Sequence, residues 1–132
     1  MLFVPAIVSK LREKAARFHA ITEHIGTPEV ASDGRKLQSL LVERGSLEST
    51  AELVRRLDAC LARRAEDERL LADAGSDPDL KELAREDLEA LAAEETALDE
   101  EIKAALITEP EDLRRKLIVE IRAGVGGDEA TL

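Results

Sequence analysis

The chain has 132 residues, enough for one domain with a modest core. Charged residues make up 36% of it and aromatics only 2%, with no Trp or Tyr and with Phe at positions 3 and 18 alone. A compact globule draws on several buried aromatics, so this Leu-, Ala-, Glu- and Arg-rich composition points instead to long helices with a narrow apolar seam and wet outer faces.

The net charge of −10 is unevenly spread. Residues 76–107 carry 3 basic and 11 acidic groups. Such a surface repels phosphate backbones, which argues against broad nucleic-acid binding. It suits a solvated helix face or a basic protein partner. Cys60 is the single cysteine, so neither an intrachain disulfide nor a Cys-based zinc site can form, which fits a reducing cytoplasm. Met1 to Val8 is apolar but short, contains Pro5, and has its positive charge after it at Lys10. It reads as neither a signal peptide nor a membrane span.

In chain order, Ile7, Leu11, Ala15, Phe18 and Ile25 recur at three- and four-residue steps, with Ile21 beside them. The spacing predicts a helix from about Pro5 to Ile25. Pro5 suits the first turn, where its missing N–H costs nothing, and Gly26-Thr27-Pro28 ends the helix. A second helix is expected from Ser32 or Asp33, either of which can cap it. Its seam is Leu37, Leu41, Leu47, Ala51, Val54, Leu61, Ala65 and Leu71, ending near Ala74. Gly45-Ser46 is its weak point, since Gly inside a helix costs about 1 kcal/mol against Ala. Ser49 with Glu52 also offers a fresh capping box. A continuous helix is the preferred reading over a break and restart.

Gly75-Ser76-Asp77-Pro78 reads as a turn and a helix start, with Asp77 capping and Pro78 in the first helical position. Leu80, Ala84, Leu88, Leu91, Leu98, Ile102 and Ala105 form the third seam, which ends near Ile107. Glu95 falls on that seam and implies a level open to water. Three helices with one stripe each, joined by short turns, predict an elongated antiparallel three-helix bundle over residues 1–110. After Pro110 the period changes. Leu117, Val119 and Ile121 alternate with Ile118, Glu120 and Arg122, which is a strand pattern. Gly124-Val125-Gly126-Gly127 then reads as a turn, and Asp128-Glu129-Ala130 as a helix start. Residues 111–132 are therefore expected to begin an α+β second domain and not to complete it.

The sequence holds no catalytic, cofactor or metal site. The Gly124–Gly127 run lacks the third glycine or alanine of a dinucleotide fingerprint, because Glu129 stands there, and two carboxylates at the helix start oppose a pyrophosphate. His19 and His24 are five apart and diverge on a helix, whereas helical ligand pairs sit three or four apart. Glu94-Glu95 and Asp99-Glu100-Glu101 lie on a helix with no loop to encircle a cation. Arg55, Arg56, Arg63, Arg64 and Arg69 are the one basic concentration. Two readings stay open for them: a small RNA contact, or, as the preferred one, pairing with Glu52, Asp67 and Glu68, which stand four residues from Arg56, Arg63 and Arg64. No nucleophile–base pair, phosphate loop or metalloprotease motif is present.

The run Leu117-Ile118-Val119-Glu120-Ile121-Arg122-Ala123-Gly124-Val125-Gly126-Gly127-Asp128-Glu129-Ala130 resembles the start of the second domain in bacterial-type class I peptide chain release factors. Asp128 resembles the release factor 1 type; the sister type carries Thr there. The resemblance extends over the whole chain but over only about the first third of such a factor. It implies the N-terminal helical domain of a factor that directs stop-codon-dependent peptide release. The implied partners are the ribosome's stalk base with its ribosomal protein, and the GTPase that recycles the factor. The catalytic Gly-Gly-Gln and the Pro-x-Thr codon-reading tripeptide do not occur in the sequence, so no hydrolytic activity is expected. The competing reading is a free-standing helical adaptor that binds a protein partner through its bundle face. An unfinished βα unit favours the first reading, and a coding frame continuing beyond residue 132 to a Gly-Gly-Gln separates the two.

Overall fold

The computed structural model describes residues 2–73, 75–109 and 111–131, with the side chains at 112–113 and 124–131 left aside. It is all-α. Helix α1 spans Pro5–Ile25, the one-turn α2 Pro28–Ala31, α3 Gly34–Ala72, α4 Pro78–Ile107 and α5 Glu111–Thr131. No helix among the described residues is long and apolar enough to cross a membrane.

The helix ends follow their capping residues. Asp33 starts α3 by accepting the Lys36 N–H at 3.2 Å. Asp77 starts α4 by accepting the Asp79 N–H at 2.8 Å, with Pro78 in the first turn. Each carboxylate satisfies a donor that the helix itself leaves open and favours the positive end of its dipole. Helix α3 continues through Gly45 without a break, and a Cβ at Gly45 would meet open space. The fresh capping box at Ser49 is not used; Glu52 pairs with Arg55 instead. Pro28 does more than stop α1, since it opens the short α2 whose Val30 is fully buried.

Helix α3 is the spine. Helix α1 runs antiparallel along its first half, shown by Arg17 on Glu43 and Arg12 on Asp58. Helix α4 runs antiparallel along its second half, shown by Arg56 on Glu101 and Arg63 on Glu94. The three share a core only where these ranges overlap. Ile7, Leu11 and Ala15 of α1, Ala51, Val54 and Leu57 of α3, and Leu98 and Ile102 of α4 pack there. A second, smaller cluster of Ile21, Val30 and Leu40 joins α1, α2 and α3 at one end. At the other end α3 and α4 continue as a two-helix arm. The three stripes therefore do not cover one another along their full length, as a regular three-helix bundle would have them do.

This stagger redraws the α3 seam. Leu57 is 1% exposed although the 3.5-residue pattern passes over it, while Leu41 at 46% and Leu61 lie outside the core. A helix with two partners on different sides carries two half-stripes, and Leu57 is the residue common to both. Glu95 departs from expectation as well. The seam is not open to water at that level: Glu95 is 4% exposed and takes the Arg64 guanidinium from α3, with Nε donating at 3.0 Å.

The strand expected over 117–122 and the glycine turn at 124–127 are not formed. Residues 111–131 are one helix. An isolated strand leaves its N–H and C=O groups without partners, and no second strand exists among the described residues, whereas a helix satisfies them internally. The same sequence also meets a helical spacing, since Leu117 and Ile121 are four apart. Leu117 is buried and Ile121 packs against the main core, while Ile118 and Val119 face outward. Glu111 and Arg115 pair one turn apart on the outer face.

Leu57→Ala removes the residue shared by both half-stripes and should cost about 2–5 kcal/mol in urea unfolding. Leu41→Ala, at the position that the sequence spacing favours over Leu57, should change stability by no more than about 0.5 kcal/mol. Equal losses at the two positions would contradict the staggered packing.

Candidate docking arm

Three features converge on the α3–α4 arm: the cross-helix charge ladder, the groove beside Cys60, and the exposed leucines at its end. The ladder begins at Arg56 on Glu101. One heptad on, Arg63 donates Nε to Asp87 at 2.9 Å and Nη1 to Glu94 at 2.7 Å. Arg64 donates to both Glu95 oxygens and lies 3.5 Å from Glu68. Planar guanidinium forks match carboxylates in pairs and so fix how α3 and α4 align.

These partners differ from the ones that local spacing suggests. Of the three expected i,i+4 pairs only Arg64 with Glu68 forms, as the weaker of Arg64's two contacts. Glu52 serves Arg55, Arg69 is held by Glu66, and Asp67 has no cation of its own. Every arginine of the basic concentration thus meets a carboxylate. The acidic runs are occupied in turn. Glu94, Glu95 and Glu101 take α3 arginines, and Asp99 accepts the Phe3 N–H and the Lys103 ammonium, both at 2.8 Å. His19 and His24 are exposed on α1. His19 sets its ring edge against Phe18, whose face carries the Arg44 guanidinium at 4.6 Å.

Cys60 is half-buried beside a groove of about 370 Å³ lined by Arg55, Arg56, Arg63, Glu94, Ala97 and Leu98. Burial pushes its thiol up, Glu94 and Glu95 add to that, and the neighbouring arginines oppose it. At the far end Leu80 and Leu83 stand 47% and 61% exposed on the first turns of α4. Sequence spacing places Leu80 on the core seam and passes over Leu83. Two leucines three apart beside a turn are a legible sign of an apolar tip, once it is known that no third helix among the described residues reaches that level.

The family of PCRF domains matches residues 14–132. This chain belongs to the PCRF domain family. It is 37% identical over 128 residues to peptide chain release factor 1 of Anaeromyxobacter dehalogenans, an alignment covering 97% of this chain and 34% of that protein. It is 36% identical over 126 residues to peptide chain release factor 1 of Myxococcus xanthus, covering 96% and 34%. With the Streptococcus equi subsp. zooepidemicus protein of the same name the identity is 34% over 127 residues, covering 96% and 35%. The chain thus spans about a third of the length of the relatives it matches. No solved structure matches it.

Asp99 gives a pH test of the geometry. Burial opposes its ionisation, but the Lys103 ammonium and the Phe3 N–H outweigh burial and hold the carboxyl below its ordinary value. A depressed carboxyl contributes stability above the ordinary value of about 3.9, and the contribution is lost as pH falls through the folded-state pKa. Phe3, which carries φ of 54° in the left-handed region, depends on this clasp. Asp99→Asn should therefore lower the melting temperature at pH 7, and the gap to the unchanged chain should close on acidification below about pH 4. A gap that stays constant down to strong acid would contradict the ionic clasp.

Proposed function

We propose that this chain is the N-terminal, ribosome-docking part of a peptide chain release factor whose parent acts in translation termination in the cytoplasm. The observation that carries the reading is the family match over residues 14–132, joined to alignments over nearly the whole chain with proteins named peptide chain release factor 1. Docking is to the stalk-base region of the ribosome and its ribosomal protein, with the release-factor GTPase as a second partner. The shape and chemistry of the arm support contact with protein. It extends beyond the three-helix core, ends in exposed Leu80 and Leu83, and has its arginines already engaged. Hydrolysis of peptidyl-tRNA is not assigned to these residues, since Gly126-Gly127 is followed by Asp128 and no Gly-Gly-Gln occurs. Residues 111–132 open a second domain in this reading. The change of sequence pattern after Pro110 supports that division.

Mixed with ribosomes that hold labelled peptidyl-tRNA at a stop codon, the chain should cosediment with them and leave the peptide attached. The double variant Leu80→Asp, Leu83→Asp should keep its helical spectrum and lose cosedimentation. Peptide release above background, or failure of the unchanged chain to cosediment, contradicts the proposal. The domain division has its own test. Limited trypsin digestion should cut after Arg114, Arg115, Lys116 or Arg122 before it cuts within α1, α3 or α4. Equal persistence of 111–132 and the helical body would place the whole chain in one unit.

A further inference from the structure

Beyond the three-helix core, α3 and α4 meet through charge as much as through leucines, and among the described residues one buried carboxyl is left out of the pairing. Arg63 is committed to Asp87 and Glu94, and Arg64 to Glu95 and Glu68. Asp67 follows one turn later on α3. It is 8% exposed, its Oδ2 meets neither solvent nor a donor, and it follows by one turn the Arg63 that holds Asp87 across the helix pair. Two ionised carboxylates offer four acceptor oxygens and no donor. An unpaired buried charge is among the most costly arrangements a fold can hold, and it neutralises where a proton can reach it. A proton on one member converts the repulsive contact into an O–H···O⁻ hydrogen bond, one of the stronger kinds. Asp87 keeps its charge because Arg63 holds it through two nitrogens, Nε and Nη2. The proton therefore belongs on Asp67.

We propose that Asp67 and Asp87 hold a single proton between them, on Asp67, and that this carboxyl pair makes the α3–α4 arm pH-sensitive, closing it when the proton is present and loosening it when the proton leaves. The proton comes from solvent and returns to it. The charged groups acting on Asp67 are Arg63 and Arg64 on its own helix and Asp87 on α4, and the two arginines are themselves engaged by Glu94, Glu95 and Glu68. Their balance acts in the expected direction. The hydrogen bond to Asp87 is the main effect that raises the Asp67 carboxyl, with burial and the Asp87 charge adding to it and Arg63 and Arg64 opposing. The Asp87 carboxyl is held well below the ordinary range, first by Arg63 and then by the hydrogen bond from Asp67.

The two partners thus set opposite limits. The raised Asp67 contributes stability that is complete below its unfolded-state pKa and is lost as pH rises through its folded one. The depressed Asp87 contributes stability that is complete above its unfolded-state pKa and is lost as pH falls through its folded one. The singly protonated pair is favoured in between. Asp87 stands one turn from Leu83, so the end of the arm that presents Leu80 and Leu83 is the end this proton governs.

Amide hydrogen-exchange protection factors for residues 67–71 and 84–88, followed from pH 4 to pH 8 in the whole chain, test the proposal together with carbon-13 titration of the aspartate carboxyls. Asp67 should titrate above the ordinary value of about 3.9, and its midpoint should move down towards that value in Asp87→Asn. Protection of the arm should fall as pH rises through the Asp67 midpoint, by no more than about tenfold per pH unit for one linked proton. Asp67→Asn supplies a permanent donor, so it should remove this dependence and leave the arm at least as protected at pH 8 as in the unchanged chain. An Asp67 midpoint at or below the ordinary value overturns the proposal. So does an unaltered pH dependence in Asp67→Asn, or weaker protection at pH 8 in that variant.

Discussion

A single helix of 39 residues extends about 58 Å and must bury its apolar stripe against something. Neither neighbour is long enough alone. Helix α1, with 21 residues, extends about 32 Å, and α4, with 30, about 45 Å. The chain meets this constraint by laying α1 along the first half of α3 and α4 along the second, both antiparallel to it. Their overlap around Leu57 is where Leu11, Leu98 and Ile102 close the main core. The smaller cluster around Ile21 and Val30, the two-helix arm and the seating of α5 against α1 all follow from where that overlap falls.

Outside the overlap the apolar contacts thin, and charge sets the alignment. Arg56, Arg63 and Arg64 bring α3 into register with the acidic α4 at successive levels. Exposed ion pairs contribute little individually, about 0–1 kcal/mol. Their value here is geometric: a slip of one turn would take Arg56 off Glu101 and set it against Ala97 or Ala105. The same arrangement leaves the arm's arginines engaged and Leu80 and Leu83 exposed at its end.

Much of the fold was legible in the sequence because the helix ends carry their own chemistry. Asp33, Asp77 and Pro78 mark starts that side-chain capping and proline geometry dictate locally, and α3 runs through Gly45 as a continuous helix should. What local spacing misses depends on register between helices. Leu57 lies off a 3.5-residue seam because that seam assumes one partner, and it has two. Glu95 looks like a flaw in an apolar stripe until Arg64 is placed opposite it. Residues 117–122 satisfy a strand period and a helix period together, so pattern alone does not decide between them; the availability of a pairing strand does. The glycine run Gly124–Gly127 and Asp128 carry the family resemblance, and no residue of the α3–α4 arm was singled out by it.

The continuity of α3 is the claim on which the rest stands, and a distance measured along it tests that claim most directly. With Cys60→Ala as background, spin labels at Lys36→Cys and Arg69→Cys would sit on exposed positions near the two ends of the helix. A straight α-helix at 1.5 Å per residue places them about 50 Å apart, in one narrow distribution. A broad distribution, or a maximum well below roughly 40 Å, would mean that the helix folds back at Gly45-Ser46. The two halves of the molecule would then have no common spine.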